Sequence, residues 1–176
     1  FDQLVEASMI GSGSAPRSLL SGFVILNVED QVTSQTILEP EEWPLSIIIC
    51  ITDEKEKIVS SREGMEISRK TSPLYQSWLD SNKEDIQIAK SAIAENNLRR
   101  LGEVAEKNCY LMHEVMRTSS PKIRYMTENT NNCIKQIKTI RKEGVDLFFT
   151  VDAGPQVKIV CKTEDKDSIK AKFLNK

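Results

Sequence analysis

The chain has 176 residues, 39% of them apolar and 28% charged, with a formal net charge of −2. This is the composition of a globular domain long enough to bury a substantial core. Lys and Arg are spread along it without interleaved aromatics, which argues against nucleic acid as a partner, and the longest apolar run, Leu45 to Ile51, is seven residues where a membrane helix needs about 20.

Phe1 opens the chain, so the sequence is expected to begin inside a longer protein. Gly11 to Ser14 reads as a tight loop, and Pro16 suits the first turn of a helix in which Leu19, Leu20, Phe23, Val24 and Leu26 form a mostly buried side. Residues 29–43 lack periodicity and read as a connection closed by Trp43-Pro44. The β-branched run from Leu45 to Ile51 predicts a central strand covered on both faces, followed by a turn at 52–55 and a short extended piece at 57–59.

Four helical patterns come next, at 64–70, at 73–79 with Ser72 as N-cap, at 85–94, and at 98–115 with Leu101, Val104, Ala105, Leu111, Met112 and Val115 inward. Residues 123–142 form the longest helix candidate, stopped by Gly144. Residues 145–151 and 157–162 read as two strands joined by Asp152-Ala153-Gly154-Pro155-Gln156, and 168–174 as a last helix. Strand, helices, two strands and helix make a segregated α+β order, an antiparallel sheet covered by helices.

Cys50, Cys109, Cys133 and Cys161 are far apart, with no CxxC spacing and a single histidine in the chain. They read as reduced, buried thiols of a cytoplasmic protein, with no metal site and no disulfide. Trp43, Trp78, Tyr75 and Tyr110 read as packing residues, and His113 as a structural or partly buried one.

Three stretches carry candidate chemistry. In Gly11 to Arg17, backbone amides at a helix start, the hydroxyls of Ser12 and Ser14 and the Arg17 guanidinium suit an anion; the same residues also describe a Ser-capped helix after a loop. Ser60-Ser61-Arg62-Glu63-Gly64-Met65 offers a second such start, with the same two readings. Asp152 ends an apolar strand just before Ala-Gly-Pro, a position that fits either a general base or an ordinary turn-forming Asp.

Taken together, these stretches resemble a known family. Gly11-Ser12-Gly13-Ser14-Ala15, Arg17-Ser18-Leu19 and Gly22-Phe23-Val24 are similar to the GSGSA-x-RS…GGFV signature of the diphosphomevalonate decarboxylase family, in the superfamily of galactokinase, homoserine kinase and mevalonate kinase. Glu42-Trp43-Pro44, Ser60 to Met65, Thr71-Ser72-Pro73 and Phe149-Thr150-Val151-Asp152-Ala153-Gly154-Pro155 continue the resemblance in order over nearly the whole chain. The chain departs from the pattern at Ser8, where the family has Arg, and at Pro16 and Ser21. The superfamily's phosphate loop, of form P-x-x-x-G-L-x-S-S-A, does not occur in these residues.

The resemblance implies an enzyme that uses ATP and Mg2+ to convert (R)-5-diphosphomevalonate to isopentenyl diphosphate, carbon dioxide, ADP and phosphate, as a cytoplasmic homodimer. It implies that Ser14 and Arg17 lie around the substrate carboxylate and 3-oxygen, with Ser12 in the same loop. By the same resemblance Ser61 and Arg62 hold the diphosphate with Gly64 and Met65 beside them, and Asp152 orients or deprotonates the 3-hydroxyl. Residues 1–42 would then be the end of an N-terminal domain carrying the GSGSA helix, and 43–176 a ferredoxin-like C-terminal domain. Two further readings stand beside it. One is a sister enzyme of the same fold, a phosphomevalonate decarboxylase or a mevalonate 3-kinase; the other is a non-catalytic anion-binding or assembly domain.

Overall fold

The computed structural model describes residues 1–28, 32–55 and 57–174. They divide into two compact units, Phe1–Pro44 and Leu45–Lys176, each taken by itself below.

In the first unit, helix α1 (Asp2–Gly11) packs on a five-residue 3-10 turn (Ala15–Leu19) and on strand β2 (Thr33–Leu38). Strand β1 (Phe23–Asn27) pairs antiparallel with β2. Two expectations fail here. The apolar residues from Leu19 to Leu26 are not one helix: the 3-10 turn ends at Leu19, and Phe-Val-Ile-Leu continues as strand β1. A short apolar run carries no period that separates the two states, and pairing with β2 decides for the strand. Gly22 marks the break, at φ +75°, with the Leu38 carbonyl so close that a side chain there would collide with it. The stretch read as a connection contains β2; the residues 29–31 of that stretch lie outside the described residues. Trp43 stacks on Phe23, with ring centroids 5.3 Å apart.

In the second unit, β3 (Leu45–Cys50), β5 (Val157–Lys162) and β4 (Leu147–Val151) form an antiparallel sheet in the order β3-β5-β4. The expected hairpin is therefore β4–β5, but β3 is an edge strand and not a central one. Its alternate side chains Ile47 and Ile49 are 65% and 62% exposed, so only one face of this strand is covered. The apolar run hides that alternation because both faces carry isoleucine.

Helices α2 (Ser61–Thr71), α3 (Tyr75–Ala94), α4 (Leu98–Arg117), α5 (Glu128–Lys142) and α6 (Lys166–Leu174) complete the unit. The two helices expected at 73–79 and 85–94 are one continuous helix. Ser72 is the C-cap of α2, and its hydroxyl accepts from Leu74 N–H instead of capping a helix at Pro73. No strand forms at 57–59, where the chain bends with Ile58 fully exposed. Helix α5 starts later than expected, at a capping box in which Thr127 and Thr130 bond reciprocally. The core joins Cys109, Ile134, Ile137, Ile140, Phe149, Ile159 and Ile169 between sheet and helices. All four cysteines are free thiols.

Candidate active site

Asp152 follows β4 directly, and the structure shows what holds it. Leu147, Phe149 and Val151 turn their backbone groups toward the open edge of β4, where an unpaired edge would be costly. Side chains meet them one by one. Arg141 Nε donates to Leu147 O at 3.0 Å, and the Phe149 N–H donates to the Glu106 carboxylate at 3.2 Å. Val151 N–H donates to Cys109 Sγ at 3.3 Å, and His113 Nε2 donates to Val151 O at 3.0 Å. Glu106, Cys109 and His113 fall on one stripe of α4, spaced three and four residues apart, and Glu106 and Arg141 also form an ion pair. Burial lowers the His113 pKa, against the opposing effect of its bond to Val151, so the ring sits as a neutral donor. The histidine read as structural is thus a support for the residue just before Asp152.

The turn itself is pinned from the other side. Thr52 Oγ1 and Thr130 Oγ1 both donate to Pro155 O, at 2.6 and 2.8 Å, and Thr52 N–H donates to Gln156 Oε1 at 2.7 Å. The Asp152 side chain remains 73% exposed and pairs with Lys158 Nζ at 2.6 Å. Sequence reasoning missed Lys158. It is strand register that brings it there: Thr150 lies opposite Lys158, and Asp152, two residues on, shares Thr150's face of the hairpin.

The second anion motif lies beside this turn. Ser60 caps α2, its hydroxyl accepting from Glu63 N–H at 3.2 Å. Ser61 Oγ accepts from Lys57 Nζ at 2.7 Å, and the same ammonium donates to Ala153 O at 3.1 Å. Lys57, another residue missed from the sequence, therefore ties Ser61 to the residue after Asp152. Arg62 is exposed on the first turn. Gly64 is buried, and a Cβ there would come within 2.5 Å of the Tyr125 hydroxyl, so its lack of a side chain admits that ring. Met65 and Ala153 pack on the same small cluster of Met116, Ile123 and Tyr125. The structure thus brings Ser61 and the Asp152 turn together and gives Gly64 and Met65 packing contacts behind them.

Ser12, Ser14 and Arg17 belong to the first unit, and the expected helix at this motif is corrected. The loop follows the C-terminus of α1 instead of opening a helix, and only the short 3-10 turn comes after it. Helix α1 stops because Ser12 is extended, and Pro16 sits at the first positions of the 3-10 turn, where its missing N–H costs nothing. Ser12 Oγ and Ser14 Oγ lie 3.1 Å apart in hydrogen-bond contact, Pro16 is buried, and Arg17 is exposed. Ser34 Oγ donates to Pro16 O at 3.1 Å and anchors the turn to β2.

The family model for the "mevalonate 5-diphosphate decarboxylase C-terminal domain" matches residues 47–175. The chain is 28% identical to a diphosphomevalonate decarboxylase of Candida albicans over 95% of its own length and 48% of that protein's. It resembles the crystal structure of mevalonate diphosphate decarboxylase from Staphylococcus aureus at TM-score 0.91 and 34% identity, covering 99% of this chain and 54% of that one. A structure of MDDEF in complex with MVAPP, AMPPCP and magnesium has the same TM-score, 0.91, at 29% identity, with 98% and 54% covered. The chain spans about half the length of these relatives. Mixed helix and antiparallel sheet, an Asp-Ala-Gly-Pro turn at the end of β4 and a family match over most of the second unit lead to one assignment: this chain belongs to the mevalonate 5-diphosphate decarboxylase C-terminal domain family.

Proposed function

We propose that the full-length protein carrying this chain is the ATP-dependent decarboxylase of (R)-5-diphosphomevalonate, giving isopentenyl diphosphate, carbon dioxide, ADP and phosphate. The observation that carries the reading is the family match together with the Asp152 turn, a carboxylate on a fixed backbone beside Ser61 and Lys57. ATP, when bound, supplies the phosphoryl group that makes the tertiary 3-oxygen a leaving group. Among the described residues no group of three or more His, Cys, Asp and Glu is placed to hold a metal ion.

In this reading Asp152 aligns the 3-hydroxyl or takes its proton, a task that needs a carboxylate held to a fraction of an ångström. Its pairing with Lys158 keeps a cation at hand when the proton moves. Ser14 and Arg17, with Ser12 in the same loop, hold the substrate carboxylate ionised until the carbon–carbon bond breaks, carbon dioxide leaves and the freed electron pair forms the double bond. Ser61 and Arg62 take the diphosphate from the start of α2, with Gly64 and Met65 shaping the ground behind them. We also assign residues 1–42 to the end of an N-terminal domain and 43–176 to the C-terminal domain, and the whole protein to a cytoplasmic homodimer. No described helix is long and apolar enough to cross a membrane.

The test is simultaneous measurement of carbon dioxide and ADP from full-length protein with ATP, magnesium and diphosphomevalonate. Equal amounts are expected, and the 176-residue chain alone is expected to be inactive. ADP without carbon dioxide would make the protein a 3-kinase. Turnover confined to the monophosphate would make it a phosphomevalonate decarboxylase, and no product from either substrate would leave an anion-binding or assembly role.

A further inference from the structure

Two of the four thiols meet in the second unit. Cys50 closes β3 and Cys133 stands on the second turn of α5, and both pack, half-buried, against the core of Ile134, Ile137, Phe149 and Ile159. The hydrogen bonds beside them fix that meeting. Thr52 Oγ1 and Thr130 Oγ1 are in contact at 3.3 Å, and Asn129 Nδ2 donates to Thr52 O at 3.1 Å. Cys50 lies two residues before Thr52, the spacing that returns to one side of a strand, and Cys133 lies one helical turn beyond Asn129 and Thr130. Two residues of strand and one turn of helix advance by similar distances, so the thiols come together one step along the seam. There Cys133 donates its S–H to the Cys50 sulfur.

That bond gives the two sulfurs different chemistry. It favours the thiolate of Cys50, whose pKa is lowered, and keeps the proton on Cys133, whose pKa is raised. The other two thiols are shielded. Cys109 and Cys161 are 5% and 0% exposed, burial raises the pKa of each, and Cys109 already accepts the Val151 N–H. Thr52 and Thr130 hold Pro155 O, so the reactive pair lies directly behind the two anchors of the Asp152 turn.

We propose that Cys50 and Cys133 form a peroxide-responsive dithiol, which closes to a disulfide and joins β3 to α5 beneath the Asp152 turn. The Cys50 thiolate attacks one oxygen of hydrogen peroxide and breaks the O–O bond, giving the Cys50 sulfenic acid and hydroxide. The Cys133 sulfur then attacks the sulfenic sulfur. The S–S bond forms, the S–O bond breaks, and the Cys133 proton leaves with the hydroxyl as water. In sum, two thiols lose two electrons and two protons, and one peroxide becomes two waters. A dithiol reductant reverses the change. Joining the sulfurs displaces the segments that carry the Thr52 and Thr130 anchors, so the bond lowers turnover by moving Asp152. The effect on turnover rests on the decarboxylase reading; the bond itself does not.

The experiment oxidises full-length protein with hydrogen peroxide, blocks the remaining thiols with iodoacetamide and maps the peptides by mass spectrometry, before and after dithiothreitol. A linked Cys50–Cys133 peptide is expected as the main oxidised species of these four cysteines, about 2 Da lighter than its two reduced halves together. Carbon dioxide release should fall at least about threefold on oxidation and return with dithiothreitol. Cys50→Ser and Cys133→Ser should keep their reduced rates through the same treatment. Oxidised or alkylated Cys50 with no linked peptide would overturn the disulfide. A linked peptide with unchanged turnover, or a loss of turnover shared by both serine variants, would overturn the switch. The linked peptide is read without an activity assay, so a reduced protein that releases no carbon dioxide would refute the decarboxylase reading and leave the dithiol to be judged by its peptide.

Discussion

Asp152 stands at the end of a strand whose open edge is bonded group by group to Arg141, Glu106, Cys109 and His113, and its turn is pinned again through Pro155 and Gln156. Ser12, Ser14 and Arg17 stand on an exposed stretch whose own bonds, among the described residues, reach no further than four residues, apart from the anchor of Ser34 on Pro16. The two regions differ in how their geometry is made. A carboxylate that aligns or deprotonates a hydroxyl gains from a fixed backbone, because a small displacement is costly in rate. A loop of hydroxyls and a guanidinium that gathers a carboxylate can take its final arrangement from the anion it binds.

The sharpest way to break this comparison is Asp152→Asn in the full-length protein. Turnover should fall by about 10²–10⁴-fold with KM changed only a few-fold, measured by carbon dioxide release. A turnover near that of the parent would take Asp152 out of the chemistry and leave its well-held turn a purely structural device. Arg17→Ala comes next, with an expected loss of roughly 10²-fold in kcat/KM from one missing charge-assisted contact. If that variant kept the parent kcat/KM, the exposed loop would have no share in holding the substrate.

The smallest effect concerns the support beneath Asp152. Burial depresses the His113 pKa, so between its ordinary value of about 6.5 and its folded value the unfolded chain binds the extra proton and the native state does not. Stability should therefore be unaffected above that range and decline as pH falls through it. Denaturation midpoints taken from about pH 7.5 down to about pH 5.5 should drop more steeply for the parent protein than for His113→Gln. Parallel curves would show that His113 does not carry this linkage.

Much of the second unit could be read from the residues in order. The Val-Asp-Ala-Gly-Pro hairpin, the long amphipathic pattern over 98–115 and the stop at Gly144 rest on local rules, and each is present, the helix running two residues further to Arg117. The motif residues Ser61 and Asp152 could be picked out because helix starts and strand ends announce themselves in sequence. Lys57, Lys158 and the edge-capping role of His113 could not, since each acts on a residue brought near by strand register or by helix packing and not by spacing along the chain.

The sequence by itself determined the α+β order, the family and the positions of the two Ser- and Arg-bearing signatures, since periodicity, turn residues and short signatures are local and survive without a partner surface. Only the tertiary structure decided that Phe23 to Asn27 is a strand, that Leu45 to Cys50 lies at a sheet edge, and that a helix face secures the backbone just before Asp152. Those outcomes depend on which distant segment supplies the missing hydrogen bonds and covers which face, and a linear run of apolar residues is the same whichever neighbour arrives.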